Sequence, residues 1–412
     1  MKKRVLIHSI VFSPDGVSTA YLYNDIAVGL MKKGYEVIVL TTTPHYNVIP
    51  EEVMKQPLNR RLFGIYSTSS FYGIKVIHIP LKKYRSTILR IASFVYWHIS
   101  SFFVGLVSIK FDFVISPSPP LTIGLVSAAM ARLKGAKAIY NVQEIYPDLL
   151  IKQGNITSKF IIGLLKRLEK LVYKSSSAVT TIDDGFYAKL LPRFSLESKL
   201  RVIPNFVDTH LYRPFEVENN QDLCGFPPKE KKFIMMYAGN IGFYQDWEPV
   251  IYAAKALENT PVEFWIIGEG ATKLDLEKKI GINNLNNVKL FDYQSRRLMP
   301  ILTNLADAHF IITNERIADE GFPSKVYAIM ACGKPIVAVT GEHSPLYKFL
   351  QDKGCAILVQ NRNKYDFAIA IKNLISDQQL VNDLGSNGHK IIQKSYTKEN
   401  IVAQYADLLE SL

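Results

Sequence analysis

The chain of 412 residues is too long for one ordinary hydrophobic core, so its length predicts two domains. With 48% apolar and 21% charged residues, its composition excludes a disordered or fibrous chain and is typical of a globular protein. The three cysteines, Cys224, Cys332 and Cys355, are widely spaced, which excludes a disulfide framework and a cysteine metal site and favours a reducing compartment.

The net charge of +12 is concentrated in one half of the chain. Residues 1–204 carry 27 Lys and Arg against 12 Asp and Glu, whereas the remainder is slightly acidic. A basic half predicts an anionic partner such as nucleic acid, a phosphorylated ligand or a membrane surface. The basic residues 1–4 lead into an apolar run without a signal-peptide cleavage pattern, which is interpreted as a first strand.

Apolar, β-branched runs alternate with helical patterns along the whole chain. The first set of predicted strands is 5–12, 35–42, 75–81, 111–116, 136–143, 177–182 and 200–204. After a polar stretch a second set follows: 233–237, 262–268, 288–291, 309–313, 335–340 and 354–359. This rhythm predicts an α/β protein of two Rossmann-like, doubly wound parallel sheets facing across a cleft, with ligand loops at the carboxyl ends of the strands.

The predicted domains are residues 1–204 and residues 205–396. A last helix, 397–412, is a candidate to pack back on the first domain.

Two helical stretches are candidates for membrane contact. Residues 91–109 are long and apolar and follow four basic residues between 82 and 90. Because His98 and several serines interrupt this stretch and a core strand follows it, the alternatives are a helix in one leaflet and a buried core helix; the basic neighbours favour the membrane. Residues 158–174 predict an amphipathic helix with five basic side chains, whose alternative is a solvated basic face.

The most informative stretch is EGFPSKVYAIMACG at 320–333, between two apolar runs. Ser324 is predicted as a helix N-cap and Gly333 as the residue that ends the helix. Lys325 places a cation in the first turn, where it opposes the helix dipole. This placement predicts an anion such as phosphate in contact with Ser324 and Lys325; the alternative is a lysine that extends to solvent.

Further candidates follow strands of the first predicted sheet. Asp15 and Gly16 lie in a loop that resembles a weak phosphate loop, for which a plain turn is the alternative. Glu144 ends another strand beside Gln143, a pattern that indicates acid–base or positioning chemistry. The alternative there is a helix cap formed by Asp148.

The second predicted sheet carries a similar set at its strand ends: Gly239, Asn240, Gln245, Gly268, Glu269 and Tyr293. The glycines would let backbone N–H groups approach an anion, and the tyrosine offers a ring that can stack on a base. Together these residues predict a site for a nucleotide diphosphate.

Four motifs resemble those of glycosyltransferase family 4, whose members have the GT-B fold. They are IPNFVD at 203–208, YAGNIG at 237–242, IIGEG at 266–270 and FPSKVYAIMACGKP at 322–335. The resemblance covers essentially the whole chain. The Pro-Ser-Lys variant and VQEIYP at 142–147 resemble the WbuB-like N-acetyl-L-fucosamine transferases of O-antigen and capsule assembly.

The resemblance implies a donor site in the second domain. Glu320 matches the first Glu of the family's E-x7-E motif, which faces the donor sugar and its phosphates, whereas the second position is Ala328. The family's Arg and Lys on the diphosphate fall near Asn240 and Gln245, which are uncharged. Lys325 is therefore the expected substitute cation, which would stabilise charge on the leaving diphosphate without a metal ion.

The resemblance also implies a retaining transfer from a UDP-sugar to a saccharide on undecaprenyl diphosphate, with N-acetyl-L-fucosamine as the best-matched sugar and N-acetylglucosamine as the acceptor. Glu144 would orient or deprotonate the acceptor hydroxyl, and Asp15 is the alternative. The basic first half and residues 91–109 predict a peripheral protein at the cytoplasmic face of a bacterial inner membrane.

Two alternative functions remain open at this level. One is a GDP-sugar transferase, for fucose or mannose, in exopolysaccharide synthesis. The other is a nucleic-acid- or nucleotide-sugar-binding protein without catalysis, suggested by the charge and by Ala328. No nucleic acid is expected, because the positive charge is confined to one half and no recognition motif occurs. No metal motif, Walker lysine loop or nucleophile elbow occurs, so no cofactor is expected.

Overall fold

The computed structural model describes residues 2–48, 50–82, 84–154, 156–217, 225–229, 231–315, 318, 321–360 and 363–412. The chain forms two compact units. The first unit contains Met1–Asn205 together with Lys398–Leu412, and the second unit contains Phe206–Thr397.

Each unit is built on one β-sheet. The strands of the first sheet are β1 (Arg4–His8), β2 (Glu36–Thr42), β3 (Asn59–Arg61), β4 (Tyr66–Phe71), β5 (Ile74–Ile79), β6 (Phe113–Pro117), β7 (Lys137–Val142), β8 (Ala178–Thr181) and β9 (Leu200–Val202). The strands of the second sheet are β10 (Phe233–Ala238), β11 (Val262–Ile267), β12 (Val288–Phe291), β13 (Ala308–Ile312), β14 (Ile336–Val339) and β15 (Ala356–Val359).

Helices connect the strands and cover the sheets. The first seven are α1 (Ser18–Lys32), α2 (Pro50–Lys55), α3 (Thr87–Ser108), α4 (Leu121–Lys134), α5 (Asp148–Lys152), α6 (Lys159–Ser175) and α7 (Asp184–Leu190). The next seven are α8 (Glu248–Ala256), α9 (Lys273–Ile282), α10 (Met299–Leu305), α11 (Lys325–Ala331), α12 (Pro345–Leu350), α13 (Lys364–Ser376) and α14 (Gln378–Ser395), and the last is α15 (Lys398–Glu410).

The second sheet is parallel throughout, in the order β12-β11-β10-β13-β14-β15. Its four central strands, β10, β11, β13 and β14, are short, mostly apolar and buried on both faces, as is typical of parallel strands between helices, whereas the edge strands β12 and β15 are partly buried. The order reverses at β10, which lies between β11 and β13. A doubly wound sheet opens a crevice at such a switch point, at the carboxyl ends of its strands.

The first sheet has the order β3-β4-β5-β2-β1-β6-β7-β8-β9, with its switch point at β1. The seven strands in the order β5-β2-β1-β6-β7-β8-β9 pair in parallel, which confirms the predicted doubly wound core. The edge differs from the prediction, because β3 and β4 form an unpredicted hairpin that adds antiparallel strands beside β5. These strands, NRR and YSTSSF, bury few side chains and so lack the apolar pattern that identified the others.

Helix α15 completes the first unit although it comes last in sequence. It packs against α1, where Val402 lies so close to Gly29 that a Cβ on the glycine would come within 2.5 Å of the valine. Tyr35 and Lys3 both reach Glu410, at 2.6 Å each.

Most predicted bounds differ from the structure by one or two residues, and at two places the difference is four residues. The first strand ends at His8 rather than at residue 12, because the chain turns into the loop before α1. The apolar helix begins at Thr87, four residues before the predicted start.

Candidate active site

The strongest candidate site in the second unit lies at its switch point. Lys325 is the first residue of α11, and its Nζ lies 3.5 Å from the centre of the Tyr237 ring, on β10. A Cβ on Gly239 would come within 2.6 Å of this Nζ, so the ammonium group lies directly against the glycine turn that follows β10. The structure thus brings together Lys325 and Gly239, which are far apart in sequence.

Lys325 is partly buried, and desolvation lowers its pKa to about 7. Within the described parts of the chain, no carboxylate pairs with it and its amino group makes no hydrogen bond. A cation–π contact with Tyr237 is its main compensation. A desolvated cation without a partner anion is an unfavourable arrangement that a bound anion would relieve.

Two glycines allow close backbone contact within the site. Gly239 has φ +148° and Gly268 has φ +153°, values that favour glycine. A Cβ on Gly268 would lie 1.9 Å from the carbonyl oxygen of Gly239. The turns after β10 and β11 therefore touch through their backbones, which leaves a glycine-lined surface beside Lys325.

The segment before α11 is tied to the same turn. The Tyr244 hydroxyl donates hydrogen bonds to the carbonyl oxygens of Ala318 and Gly321, at 3.1 and 3.0 Å. The Asn314 N–H donates to the Tyr244 carbonyl at 2.7 Å. Glu320, the predicted first Glu of the motif, lies outside the described residues.

The other predicted donor residues have different surroundings. Gln245 folds back on its own turn, where its Oε1 accepts from the Gly242 N–H at 2.9 Å. Glu269 pairs with Lys273 at 2.7 Å. Asn240 is exposed, and Tyr293, after β12, is 41% exposed.

Ser324 is the N-cap residue of α11, as predicted, but its side chain does not cap the helix. Its backbone has helical angles, φ −56° and ψ −18°, and its hydroxyl makes no capping hydrogen bond. A side-chain cap requires an extended backbone at this position, and the preceding Pro323 instead starts the turn, with its carbonyl accepting from Val326 N–H. The Ser324 hydroxyl is therefore not engaged in capping.

In the first unit, Asp15 lies in the loop after β1 and is almost fully buried. Its Oδ1 accepts hydrogen bonds from the backbone N–H groups of His45 and Tyr46, at 2.7 and 2.8 Å, and Gly16 N–H donates to the Tyr46 carbonyl at 2.9 Å. Asp15 thus fixes the loop that follows β2. Its Oδ2 has no partner among the described residues, and burial raises its pKa.

Glu144 follows β7, and burial raises its pKa, while a hydrogen bond from Tyr146 opposes that rise. Ser118, after β6, holds this turn: its Oγ accepts from the N–H groups of Gln143 and Glu144, at 2.9 and 3.2 Å. Burial and the hydrogen bond to Glu144 raise the pKa of Tyr146 as well. Carboxyls and phenols therefore collect at the carboxyl edge of the first sheet.

Sequence reasoning assigned no role to Tyr237, Tyr244 or Tyr46. Tyr237 is the first residue of the YAGNIG motif. Its contact with Lys325 depends on the pairing of β10 with β13, which cannot be predicted from the local sequence. Among the described residues, no group of three or more His, Cys, Asp or Glu side chains could hold a metal ion.

Helix α3 presents a large apolar surface. By length and composition alone it is long and apolar enough to cross a membrane, yet only 22% of its most apolar 18-residue stretch is buried. The alternative of a buried core helix is therefore wrong. Its exposed apolar side chains are Ile88, Leu89, Ile91, Val95, Tyr96, Ile99, Phe103 and Val107. Helix α6 exposes Phe160, Ile161, Leu164 and Leu171 beside its basic residues.

Two doubly wound units, one with a lysine that has no ion pair among the described residues and lies against a glycine turn, are typical of a protein that holds an anionic, nucleotide-like ligand. Residues 20–211 match the profile of the family described as "Glycosyltransferase Family 4", and residues 224–391 match that described as "Glycosyl transferases group 1". The chain belongs to glycosyltransferase family 4, a retaining and metal-independent family. It is a glycosyltransferase.

The chain is similar to two curated proteins over most of its length. It is 24% identical to a protein of Escherichia coli K12 named for colanic acid biosynthesis, WcaI, over 98% of both chains. It is 21% identical to WbjE of Pseudomonas aeruginosa, named as a glycosyltransferase, over 73% of this chain and 75% of that one.

Among solved structures, HepE of Anabaena in complex with UDP superimposes with a TM-score of 0.72 at 16% identity, over 100% of both chains. This likeness establishes the GT-B fold.

Proposed function

We propose that this protein transfers a sugar from a UDP-sugar to a hydroxyl of a saccharide carried on undecaprenyl diphosphate, during assembly of a bacterial surface polysaccharide. The observation that carries the proposal is Lys325: a desolvated cation, unpaired among the described residues and held against the Gly239 turn. The donor diphosphate is the anion that would complete this arrangement.

The chemical role of Lys325 follows from its surroundings. In retaining transfer the bond between the sugar and the diphosphate breaks, and negative charge develops on the departing phosphate. Because Lys325 is partly buried and desolvated, its charge acts more strongly on that phosphate than the charge of a fully exposed lysine would. Binding of the diphosphate raises the pKa of Lys325 from its value of about 7 and so keeps it protonated.

The acceptor is proposed to bind to the first unit. Glu144 and Asp15 lie at the carboxyl edge of its sheet with raised pKa values, and Glu144, which is only partly buried, can accept a hydrogen bond from a sugar hydroxyl. In the proposed mechanism Glu144 orients the attacking hydroxyl, and Asp15 holds the adjoining loop.

The finer assignments are also proposals. N-acetyl-L-fucosamine as the transferred sugar and N-acetylglucosamine as the acceptor are supported by the sequence motifs, and UDP by the ligand named for HepE. Attachment to the cytoplasmic face of the inner membrane is supported by the exposed apolar side chains of α3 and by the basic charge of residues 1–204.

An alternative donor is a GDP-sugar used in exopolysaccharide synthesis. The name of WcaI, which matches along the full chain, favours an exopolysaccharide context and leaves the donor base open.

The test is release of UDP or GDP from a panel of sugar nucleotides, with a lipid diphosphate-linked acceptor. We compare the wild type with Lys325→Ala and with Lys353→Ala, a matched control whose amino group also lies over a ring, 4.4 Å from the centre of Phe349. Acceptor-dependent release of UDP that falls at least 100-fold in Lys325→Ala alone supports the proposal. GDP release moves the function to the alternative, and equal loss in both variants removes the role of Lys325.

A further inference from the structure

The hairpin of β3 and β4 carries an unusual tip. Leu62 and Phe63 form a tight turn with positive φ values of 45° and 53°, and both side chains are exposed. Bulky residues in the left-handed region cost about 1 kcal/mol or more each, and such strain concentrates where a ligand or partner is held. Exposed apolar side chains on a strained turn are a costly arrangement for a surface that meets only water.

The strand register places this tip at the carboxyl edge of the first sheet. Ser67 of β4 pairs with His78 near the end of β5, and Arg61 of β3 pairs with Tyr66. The turn between β3 and β4 therefore stands beside the end of β5. This is the edge that also carries the loops of Asp15 and Glu144, where the acceptor is proposed to bind.

An open cavity of about 740 Å³ lies behind the tip. Its lining includes Thr43 and Pro80, which follow β2 and β5, and the basic residues Arg60 and Arg61 of β3. In the described portion of the chain neither arginine has an ion pair. Leu58, Leu62 and Phe63 complete the lining with apolar surface.

The lining combines positively charged side chains with apolar side chains. Two neighbouring guanidinium groups suit phosphate oxygens, because each can donate two parallel hydrogen bonds. The apolar rim suits hydrocarbon. A ligand that satisfies both carries phosphate groups next to an alkyl or prenyl chain.

The start of α3 extends the apolar surface from this edge. Lys82 N–H donates to the Ser93 hydroxyl at 3.0 Å, which holds the segment after β5 against α3. Ile88 and Leu89 in the first turns of α3 are exposed, at 78% and 51%. A prenyl chain leaving the cavity would therefore find further apolar side chains nearby in the fold.

We propose that this cavity binds the diphosphate of a polyprenyl diphosphate, with Arg60 and Arg61 on the phosphates and Leu62 and Phe63 against the first prenyl units. The inference rests on the proposed function and deepens it, since it assigns the part of the acceptor that lies beyond the sugar. The hairpin tip is thus a specificity element that distinguishes a lipid-linked acceptor from a free saccharide.

The first experiment measures binding alone and needs no catalysis. The full-length protein is mixed with phosphatidylcholine vesicles that contain undecaprenyl diphosphate, or with phosphatidylglycerol vesicles of equal surface charge, and bound protein is measured by flotation. We expect tighter binding to the diphosphate vesicles. Arg60→Gln/Arg61→Gln should lose that preference by about tenfold or more, whereas Arg132→Gln/Arg201→Gln, an equal charge change at exposed sites, should keep it.

Three results would overturn the assignment. They are equal binding to both kinds of vesicle, unchanged binding by the Arg60/Arg61 variant, and release of the protein from diphosphate vesicles by excess UDP. The last result would mean that the lipid diphosphate had bound at the donor site on the second unit.

The second experiment separates phosphate from lipid recognition by kinetics. Arg60→Gln/Arg61→Gln should raise KM for acceptors with long or short prenyl chains by about tenfold, with kcat little changed. Phe63→Asp should raise KM for the long-chain acceptor only. If the protein binds diphosphate vesicles as expected but turns over no acceptor, the proposed function is refuted while the lipid diphosphate site is supported. If KM is unchanged in both variants, the proposed site is refuted.

Discussion

Replacing Lys325 with methionine should make the protein more stable while it removes activity. Methionine has a similar length and no charge, so it fills the space over Tyr237 without burying a cation. The structure predicts this gain because, among the described residues, Lys325 has no carboxylate partner.

The size of the gain follows from the pKa of Lys325, which burial lowers from its usual value near 10.5 to about 7. At about 1.4 kcal/mol for each pH unit, this lowering corresponds to about 5 kcal/mol when the lysine is charged. The cation–π contact with Tyr237 returns about 2 kcal/mol. The net gain for Lys325→Met below pH 7 is therefore about 3 kcal/mol, or about 6–12 °C in the Tm of a unit of this size.

The stability difference between Lys325→Met and the wild type should depend on pH. Between pH 7 and pH 10.5 the unfolded chain keeps the Lys325 proton while the folded protein releases it, so wild-type stability rises with pH in this window. The advantage of Lys325→Met should therefore be largest at pH 6, decline as pH rises through this window, and be nearly absent only near pH 11, above both pKa values.

The assay is thermal or denaturant unfolding of the unliganded proteins at both pH values, with Lys353→Met as a control that should change little. A Lys325→Met protein that is less stable than the wild type at pH 6, with a difference independent of pH, would refute the reasoning. It would mean that the charge of Lys325 is already compensated in the free protein.

Two further changes test the site. Gly268→Ala should destabilise the protein by about 2 kcal/mol or more in denaturant unfolding, because its Cβ would lie 1.9 Å from the Gly239 carbonyl oxygen. Gly281→Ala in α9, which has open space around it, should instead raise the free energy of unfolding by about 0.5 kcal/mol. Equal effects of the two substitutions would contradict this account. Glu144→Gln should lower kcat and flatten the fall in wild-type rate as pH drops through the raised pKa of Glu144, while its unfolding free energy at pH 7 stays equal or rises; an unchanged pH profile would exclude Glu144 from the reaction.

The fold was largely predictable because parallel strands buried on both faces leave continuous apolar runs. The four central strands of the second sheet, β10, β11, β13 and β14, show this pattern, and the loops after them could be identified as candidate ligand loops from the amino-acid sequence alone. The β3–β4 hairpin was missed because its strands lie at an edge and bury few side chains. Its position follows from pairing with β5, which local sequence does not encode.

The site was predictable in its residue types and less so in its contacts. Lys325 stood out because a cation in the first turn opposes the helix dipole. That Tyr237 supports it, and that Ser324 does not cap the helix, depend on the backbone angles and on the approach of β10 to β13. Sequence patterns report burial and chemistry, whereas such contacts arise from tertiary packing.

The position of α15 has a consequence for synthesis of the protein. Ile401, Val402, Tyr405 and Leu409 are buried in the first unit, yet the ribosome makes them after the whole second unit. The second unit is continuous in sequence and can fold as it emerges, whereas the first must wait with the face of α1 around Gly29 uncovered. We therefore expect the nascent first unit to expose an apolar face for nearly two hundred residues of translation, and to be the part of the protein that depends on chaperones.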